Sequence, residues 1–224
     1  MNVIRRSFPV VIAAPSGAGK TSLAKALVEK NEHVVFSVSA TTRPARQHER
    51  PDRDYLFVDD AEFDRMEAAG ELVESAVVHG HRYGTPRRAI DEPLERGDVV
   101  VLDIDFQGAR QIRAAYPDAV LVFILPPSTD ELIRRLLGRA SETAEQRRGR
   151  LRTARVELGV VLEFDYVVVN DDFGTAIRAL ESILDAERHR VSRTKGIQDR
   201  LRELNRSLED VLKKEPFDEG VHTR

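Results

Sequence analysis

Residues 14–22 (Ala14, Pro15, Ser16, Gly17, Ala18, Gly19, Lys20, Thr21 and Ser22) place a lysine and a hydroxyl directly behind a glycine-containing turn. An apolar run at 8–13 precedes the turn, and residues 23–29 follow it with apolar positions at helical spacing. Strand, turn and helix in that order form the layout of a phosphate-binding loop. Gly17 and Gly19 permit φ > 0, so successive N–H groups can point inward at phosphate oxygens. The helix N-terminus adds partial positive charge. In such a loop Lys20 reaches the β- and γ-phosphates and the Thr21 hydroxyl holds Mg²⁺. The full pattern G-x-x-x-x-G-K-[ST] has Ala14 at its first glycine. An ordinary glycine turn gives no reason for Lys20 and Thr21 to sit where they do.

Four further constellations can do chemistry. Arg43 and Arg46 lie three apart in the Ser- and Thr-rich stretch 37–46, followed by Asp54 and Tyr55. Arginine forks bind phosphate or carboxylate oxygens bidentately; solvated loop arginines are the alternative. Glu74 precedes the segment 80–86, which carries Tyr83 and Thr85. A carboxylate on a strand can accept two N–H groups from one edge of a guanine base, although Glu74 alone reads more readily as a surface residue. Residues 99–108 join four apolar positions to Asp103, Asp105 and Gly108. This resembles a Walker B strand whose acid holds Mg²⁺ through water. The two-residue period of a strand would turn both acids toward one cleft; a helix-capping aspartate explains one acid but not two. Arg135 and Arg139 share a helix face, and with Arg150 they fall in 128–158, where the polar stretch 140–145 suggests a flap. Arginines there can stabilise the charge of a transferring phosphoryl group on closure.

The elements that must position these groups are legible. Apolar runs at 34–38, 99–104, 119–125 and 166–169 are nearly continuous, as in strands buried on both faces of a parallel sheet. Helical patterns between them predict an α/β fold. Shorter mixed runs at 55–58 and 71–78 predict strands of a smaller lobe. Ser128 to Glu131 reads as a capping box. Asp59 or Asp60 caps a helix that stops at Gly70. Thr85-Pro86 reads as a helix start, with Pro93 as a kink further on. Leucines and isoleucines at 197, 201, 204, 208 and 212 form a stripe on a charged helix, which either folds on the body or joins two copies.

The chain has 224 residues, net charge −3 and no cysteine, with 33% charged residues. This excludes disulfides and thiolate chemistry, and no basic field argues for nucleic acid. No apolar run approaches the roughly 18 residues of a membrane span. The run at 8–13 passes straight into the glycine turn, so it reads as a strand rather than a signal peptide. The expected setting is cytoplasmic.

The order of motifs closely resembles guanylate kinase of the bacterial type: the phosphate loop, S-x-S-x-T-T-R-x-x-R, D-Y, E-(x)8-Y-G-T, L-D-I-D-x-Q-G, I-L-P-P-S, R-R-L-x-x-R and V-V-N-D-D. The resemblance spans about residues 8–190. It implies a P-loop parallel sheet with helices on both faces, an inserted mixed β/α lobe for GMP and a helical lid. It implies that Ser39, Glu74 and Asp105 recognise guanine with Thr85 nearby, and that Arg43, Arg46, Tyr55 and Tyr83 hold the GMP phosphate. Asp103, Gly108 and Arg150 complete the GMP set. The lid arginines are Arg135, Arg139 and Arg150, which with Lys20 and Arg43 form the implied catalytic set. ATP falls to residues 14–22, Arg135, Arg139 and Asn170, and Mg²⁺ to Thr21 and, through water, Asp103. The implied division is 1–36, 91–127 and 159–190 for the core, 37–90 for the GMP lobe, 128–158 for the lid and 191–224 for a charged helical tail. Gln47-His48, Asp52, Ser75 and His81-Arg82 depart from the family pattern.

The expected reaction is transfer of the γ-phosphoryl group of ATP to GMP or dGMP, with Mg²⁺. A phosphate oxygen attacks, so none of the six histidines need be catalytic. A binding module without catalysis would be expected to lack Lys20 or the lid arginines. A kinase of a phosphorylated sugar such as ribose 1,5-bisphosphate would not need Ser39, Glu74 and Asp105 together. A nucleotide-binding regulator is the third rival.

Overall fold

The structure, a computed structural model, describes residues 4–47, 49–78, 80–137 and 144–214. Arg139, the 140–143 part of the expected flap and the terminal stretch from 215 lie outside the described residues. The strands are β1 (Ile4–Arg5), β2 (Pro9–Ala13), β3 (Val34–Phe36), β4 (Ala40–Thr41), β5 (Leu56–Phe57), β6 (Leu72–Val78), β7 (His81–Pro86), β8 (Val99–Asp103), β9 (Val120–Leu125), β10 (Tyr166–Val169) and β11 (Thr194–Lys195). The helices are α1 (Lys20–Lys30), α2 (Asp60–Ala68), α3 (Arg88–Arg96), α4 (Phe106–Ala115), α5 (Thr129–Leu137), α6 (Ala144–Gly159), α7 (Phe173–Arg188) and α8 (Ile197–Lys214). The chain divides into two compact units, Ser7–Asp185 and a unit of Met1–Arg6 with Ala186–Arg224.

The larger unit is built on a parallel five-stranded sheet in the order β10-β9-β2-β8-β3. Both faces of β2, β8 and β9 are covered, which accounts for their nearly continuous apolar runs. On the edge strand β10 only Val168 is buried and Val167 and Val169 are exposed, so the expectation of burial on both faces fails there. Val10 and Ile12 pack with Leu23 and Leu27 of α1 and Ile177 and Leu180 of α7. Val11 turns the other way, toward Ile90 of α3 and Ile112 of α4. Leu23 and Leu27 are four apart on α1 and fully buried, each contributing roughly 1.5–3 kcal/mol of burial. That anchorage fixes the helix whose first turn carries Lys20 and Thr21.

A second sheet, β5-β4-β7-β6, pairs β4 parallel to β5 and antiparallel to β7, with β6 and β7 as an antiparallel hairpin. Its small core joins Ala40 to Phe63 and Met66 of α2. Asp59 caps α2 by accepting the Glu62 N–H at 2.8 Å. Gly70, at φ +66°, ends it by donating to the Glu67 carbonyl.

Three local expectations are corrected. Thr85-Pro86 does not start a helix: β7 runs through both residues, Thr85 paired with Glu74 and Pro86 with Leu72, and α3 begins at Arg88. Pro86 is tolerated because it stands at the strand end, where its missing N–H costs no ladder bond. Ser128 caps α5 by accepting the Glu131 N–H at 3.2 Å, but the Glu131 carboxylate binds Arg134 and Arg135 instead of closing a capping box. Asp105 is not on a strand; β8 ends at Asp103, and Asp105 is the N-cap of α4. The period-two argument for the two acids therefore fails.

In the smaller unit β1 pairs antiparallel with β11, Ile4 opposite Lys195. Glu187 and Arg193 form a buried ion pair at 2.9 Å. On α8, Leu201, Leu204, Leu208 and Leu212 are exposed. Among the described residues no helix is long and apolar enough to cross a membrane.

Candidate active site

Gly17 and Gly19 carry the turn between β2 and α1 at φ +87° and +90°. The turn closes with the Ala18 N–H donating to the Pro15 carbonyl at 3.0 Å. Gly19 is the N-cap of α1 and no side chain caps that helix. The first-turn N–H groups thus face the loop interior with the helix dipole behind them. Ala14 is buried in the core with a negative φ, so this position needs no glycine. Asn170, 5% exposed, donates Nδ2–H to the Ala18 carbonyl at 2.8 Å. A Cβ on Gly19 would stand 2.6 Å from that Nδ2. Asn170 therefore acts as a brace beneath the loop. Ser22 is exposed on α1.

Asp103 at the end of β8 meets the loop. Lys20 Nζ lies 2.8 Å from Asp103 Oδ1 and donates to the Ile104 carbonyl at 2.8 Å. The Thr21 hydroxyl donates to Asp103 Oδ2 at 2.5 Å. A hydroxyl and a carboxylate so close supply hard oxygen donors of the kind Mg²⁺ takes alongside phosphate oxygens and water. The residues present therefore fit that ion.

Glu74 of β6 is 4% exposed and accepts the Thr85 hydroxyl proton at 2.6 Å. Ser39 Oγ lies 3.5 Å from Thr85 Oγ1. Burial pushes the Glu74 carboxyl up to about 7, with Asp105 adding like charge and Thr85 and Lys20 acting against both. A Cβ on Gly108 would stand 2.7 Å from Glu74 Oε2, so glycine there lets α4 approach the carboxylate. Asp105 Oδ1 accepts the Gly108 N–H at 2.9 Å. Ser39, Glu74, Thr85, Asp105 and Gly108 are thus brought together, although Asp105 arrives as a helix cap. Gln111 binds both the N–H and the carbonyl of Ser75, which ties β6 to α4 beside Glu74.

Arg43 donates Nε–H to the Tyr83 hydroxyl at 3.2 Å and lies over the Tyr55 ring, 5.3 Å from its centroid. Tyr55 and Tyr83 meet edge to face at 6.0 Å. Burial pushes the Tyr55 phenol up to about 12, with Asp103 adding to the shift. The fork of Arg43 is engaged by Glu49, two bonds of 2.9 Å. That contact holds the Glu49 carboxyl below its usual range. Arg46 is exposed and only 4.0 Å from Glu49. Glu49 was not among the residues singled out by sequence; its signal was an acid six residues after Arg43. Asp52 takes φ +61°, the left-handed conformation that explains why glycine suits this position. Arg82 stacks on Phe63 at 4.2 Å and pairs with Asp64 and Glu67 of α2, a structural role.

α5 and α6 bring arginines to the loop. Arg135 pairs with Glu131 at 2.5 Å, and its Cβ lies 3.5 Å from a Cβ built on Gly17. Arg150 donates to the Leu136 carbonyl at 2.5 Å and to Ser16 Oγ at 3.4 Å. Glu157, also unanticipated, accepts the Ser16 N–H at 3.1 Å.

A family model described as guanylate kinase matches residues 6–187. The guanylate kinase of Nitrobacter hamburgensis is 47% identical over 209 residues, 93% of this chain and 95% of that protein. That of Nitrosomonas europaea is 49% identical over 178 residues, 80% and 89% of the two chains. The crystal structure of guanylate kinase from Anaplasma phagocytophilum superposes with a TM-score of 0.76 at 34% identity, covering 89% of this chain and 96% of that one. With a phosphate loop on a parallel sheet and relatives alike over nearly their whole length, this chain belongs to the guanylate kinase family.

Proposed function

We propose that this chain transfers the γ-phosphoryl group of ATP to GMP, giving ADP and GDP. The observation that carries the proposal is the junction of Lys20, Thr21 and Asp103 in the same compact unit as the buried Glu74–Thr85 pair. The first suits the phosphates of a donor, the second the edge of a base.

In this reading residues 14–22 cradle the ATP phosphates, and Lys20 leaves Asp103 to bind the β- and γ-phosphates. Asn170 serves ATP through the loop it braces. Thr21, and Asp103 through water, would hold Mg²⁺, which when bound would neutralise charge on the phosphate oxygens. Glu74, Ser39 and Asp105 read guanine, with Thr85 orienting Glu74 and Gly108 giving room. Arg43, Arg46, Tyr55 and Tyr83 hold the acceptor phosphate, and Arg43 exchanges Glu49 for it. An acceptor oxygen attacks the γ-phosphorus in line while the bond to the β–γ bridging oxygen breaks, and ADP departs with that electron pair. The acceptor phosphate is already largely ionised at neutral pH, so no general base is needed. Alignment and charge neutralisation by Lys20, Arg135, Arg139 and Arg150 lower the barrier. Residues 37–90 act as the GMP lobe and 128–158 as the lid over the 1–36, 91–127 and 159–190 core, in the cytoplasm.

The decisive assay is coupled ADP release with ATP and Mg²⁺, offering GMP, dGMP, AMP, CMP, UMP and ribose 1,5-bisphosphate separately. Turnover confined to GMP and dGMP is expected; silence with every acceptor from folded protein would overturn the reading. We also read the exposed leucine row of α8 in the 191–224 tail as a contact between two copies. Light scattering that gives a monomer mass at tens of micromolar would end that reading.

A further inference from the structure

Glu157 stands on α6 seven residues after Arg150, two turns along the same helix face. The two side chains close on one loop residue. Arg150 Nη2 donates to Ser16 Oγ at 3.4 Å, and Glu157 Oε2 accepts the Ser16 N–H at 3.1 Å. Arg150 also reaches the Leu136 carbonyl at the end of α5. The apolar contacts of α6 run to α5, where Ala154, Leu151 and Leu158 pack with Leu132 and Leu136. Those contacts join the two helices to each other, whereas the bond from Glu157 joins α6 to the loop backbone.

The placement is electrostatically costly for the reaction proposed above. Burial pushes the Glu157 carboxyl upward, with Asp105 adding like charge and the Ser16 N–H and Lys20 acting against both. A carboxylate there repels the triphosphate that the loop is to hold. It has no proton to remove, because the attacking group is an ionised phosphate oxygen. What remains is geometry: a carboxylate bonded to a main-chain N–H gives α6 one defined seat on the loop.

We infer that Glu157 is a positioning residue for phosphoryl transfer. By accepting the Ser16 N–H it seats α6 on the phosphate loop, so that Arg150 reaches the loop in one register. Glu157 touches none of the reacting atoms and acts through Arg150. The inference rests on the phosphotransferase reading.

The test is steady-state kinetics with GMP and ATP on the full chain for wild type, Glu157→Ala, Glu157→Gln, Arg150→Ala and the double variant Glu157→Ala with Arg150→Ala, each with a melting curve. Glu157→Ala is expected to lower kcat by about tenfold or more while KM for GMP stays within about twofold, since misplacing a catalytic group costs rate. Glu157→Gln keeps an oxygen that accepts the Ser16 N–H and should retain kcat within about threefold. On the Arg150→Ala background, Glu157→Ala should add less than about threefold, the non-additivity of residues that act as a unit. Full kcat in Glu157→Ala would overturn the inference, as would a loss undiminished by Arg150→Ala. A Glu157→Gln variant that melts like wild type but turns over as slowly as Glu157→Ala would overturn it too. If Glu157→Ala does not fold, Glu157→Asp takes its place, its carboxylate one methylene short of Ser16. Wild-type turnover separates the two failures. An inactive wild type refutes the phosphotransferase reading; an active wild type with unaffected variants refutes only the role of Glu157.

Discussion

Thr85 donates its hydroxyl proton to Glu74 at 2.6 Å, and both side chains are buried. Only one carboxylate oxygen is engaged by that bond. The other faces Gly108, where a Cβ would stand 2.7 Å away. A buried acid with one engaged oxygen and one facing a glycine is suited to accept N–H groups from a base edge, and its ionisation then governs binding.

Burial pushes the Glu74 carboxyl up to about 7, from 4.5 for an exposed glutamate. The folded chain thus keeps this proton at pH values where the unfolded chain has lost it. Its contribution to stability is complete below about 4.5 and is lost as pH rises through about 7. Glu74→Gln cannot ionise and is expected to be more stable than wild type at pH 8, on the order of 1–3 kcal/mol. The proposed base recognition has the opposite demand, because it needs the ionised form to accept the base N–H groups. Calorimetric GMP affinity should fall about tenfold between pH 8 and pH 6. A flat profile would remove ionised Glu74 from base recognition.

Gly108→Ala puts a methyl group against Glu74 Oε2. KM for GMP should rise by about tenfold, equivalent to roughly 1.4 kcal/mol, with KM for ATP unchanged. Equal effects on both nucleotides would place Gly108 outside the base site.

Lys20→Ala removes the ammonium that pairs with Asp103 and, in the proposed reaction, neutralises the donor phosphates. Turnover should drop by about 100-fold or more, the scale of losing one preorganised electrostatic contact. GMP affinity, measured by calorimetry, should change less than about twofold. Unchanged turnover would strike Lys20 from the mechanism.

Arg43→Lys keeps the charge and loses the fork that meets Glu49 with two bonds of 2.9 Å. A single ammonium cannot grip a phosphate bidentately. KM for GMP is expected to rise about tenfold with guanosine binding untouched. A parallel loss of guanosine binding would mean that Arg43 shapes the lobe rather than holding the phosphate.

The phosphate loop and the five strands of the parallel sheet were legible because each is a local property. Gly17, Gly19, Lys20 and Thr21 are near neighbours, and a strand covered on both faces must be apolar at nearly every position. β7 is not legible because His81–Pro86 carries a glycine and a proline and Thr85-Pro86 reads as a helix start; β4 on one side and β6 on the other make it a strand. Asp105 reads as a strand residue by the period-two argument, but α4 starts one residue later and claims it as a cap. The family resemblance singles out neither Glu49 nor Glu157 as a site residue. The run of residues alone sets the glycine turn ahead of Lys20 and the places of the sheet strands, because backbone conformation and burial pattern are set over a few residues. Which carboxylate meets which donor depends on packing between distant segments. Ser16 and Glu157 are 141 residues apart, and only the packing of α6 against the loop brings them to 3.1 Å.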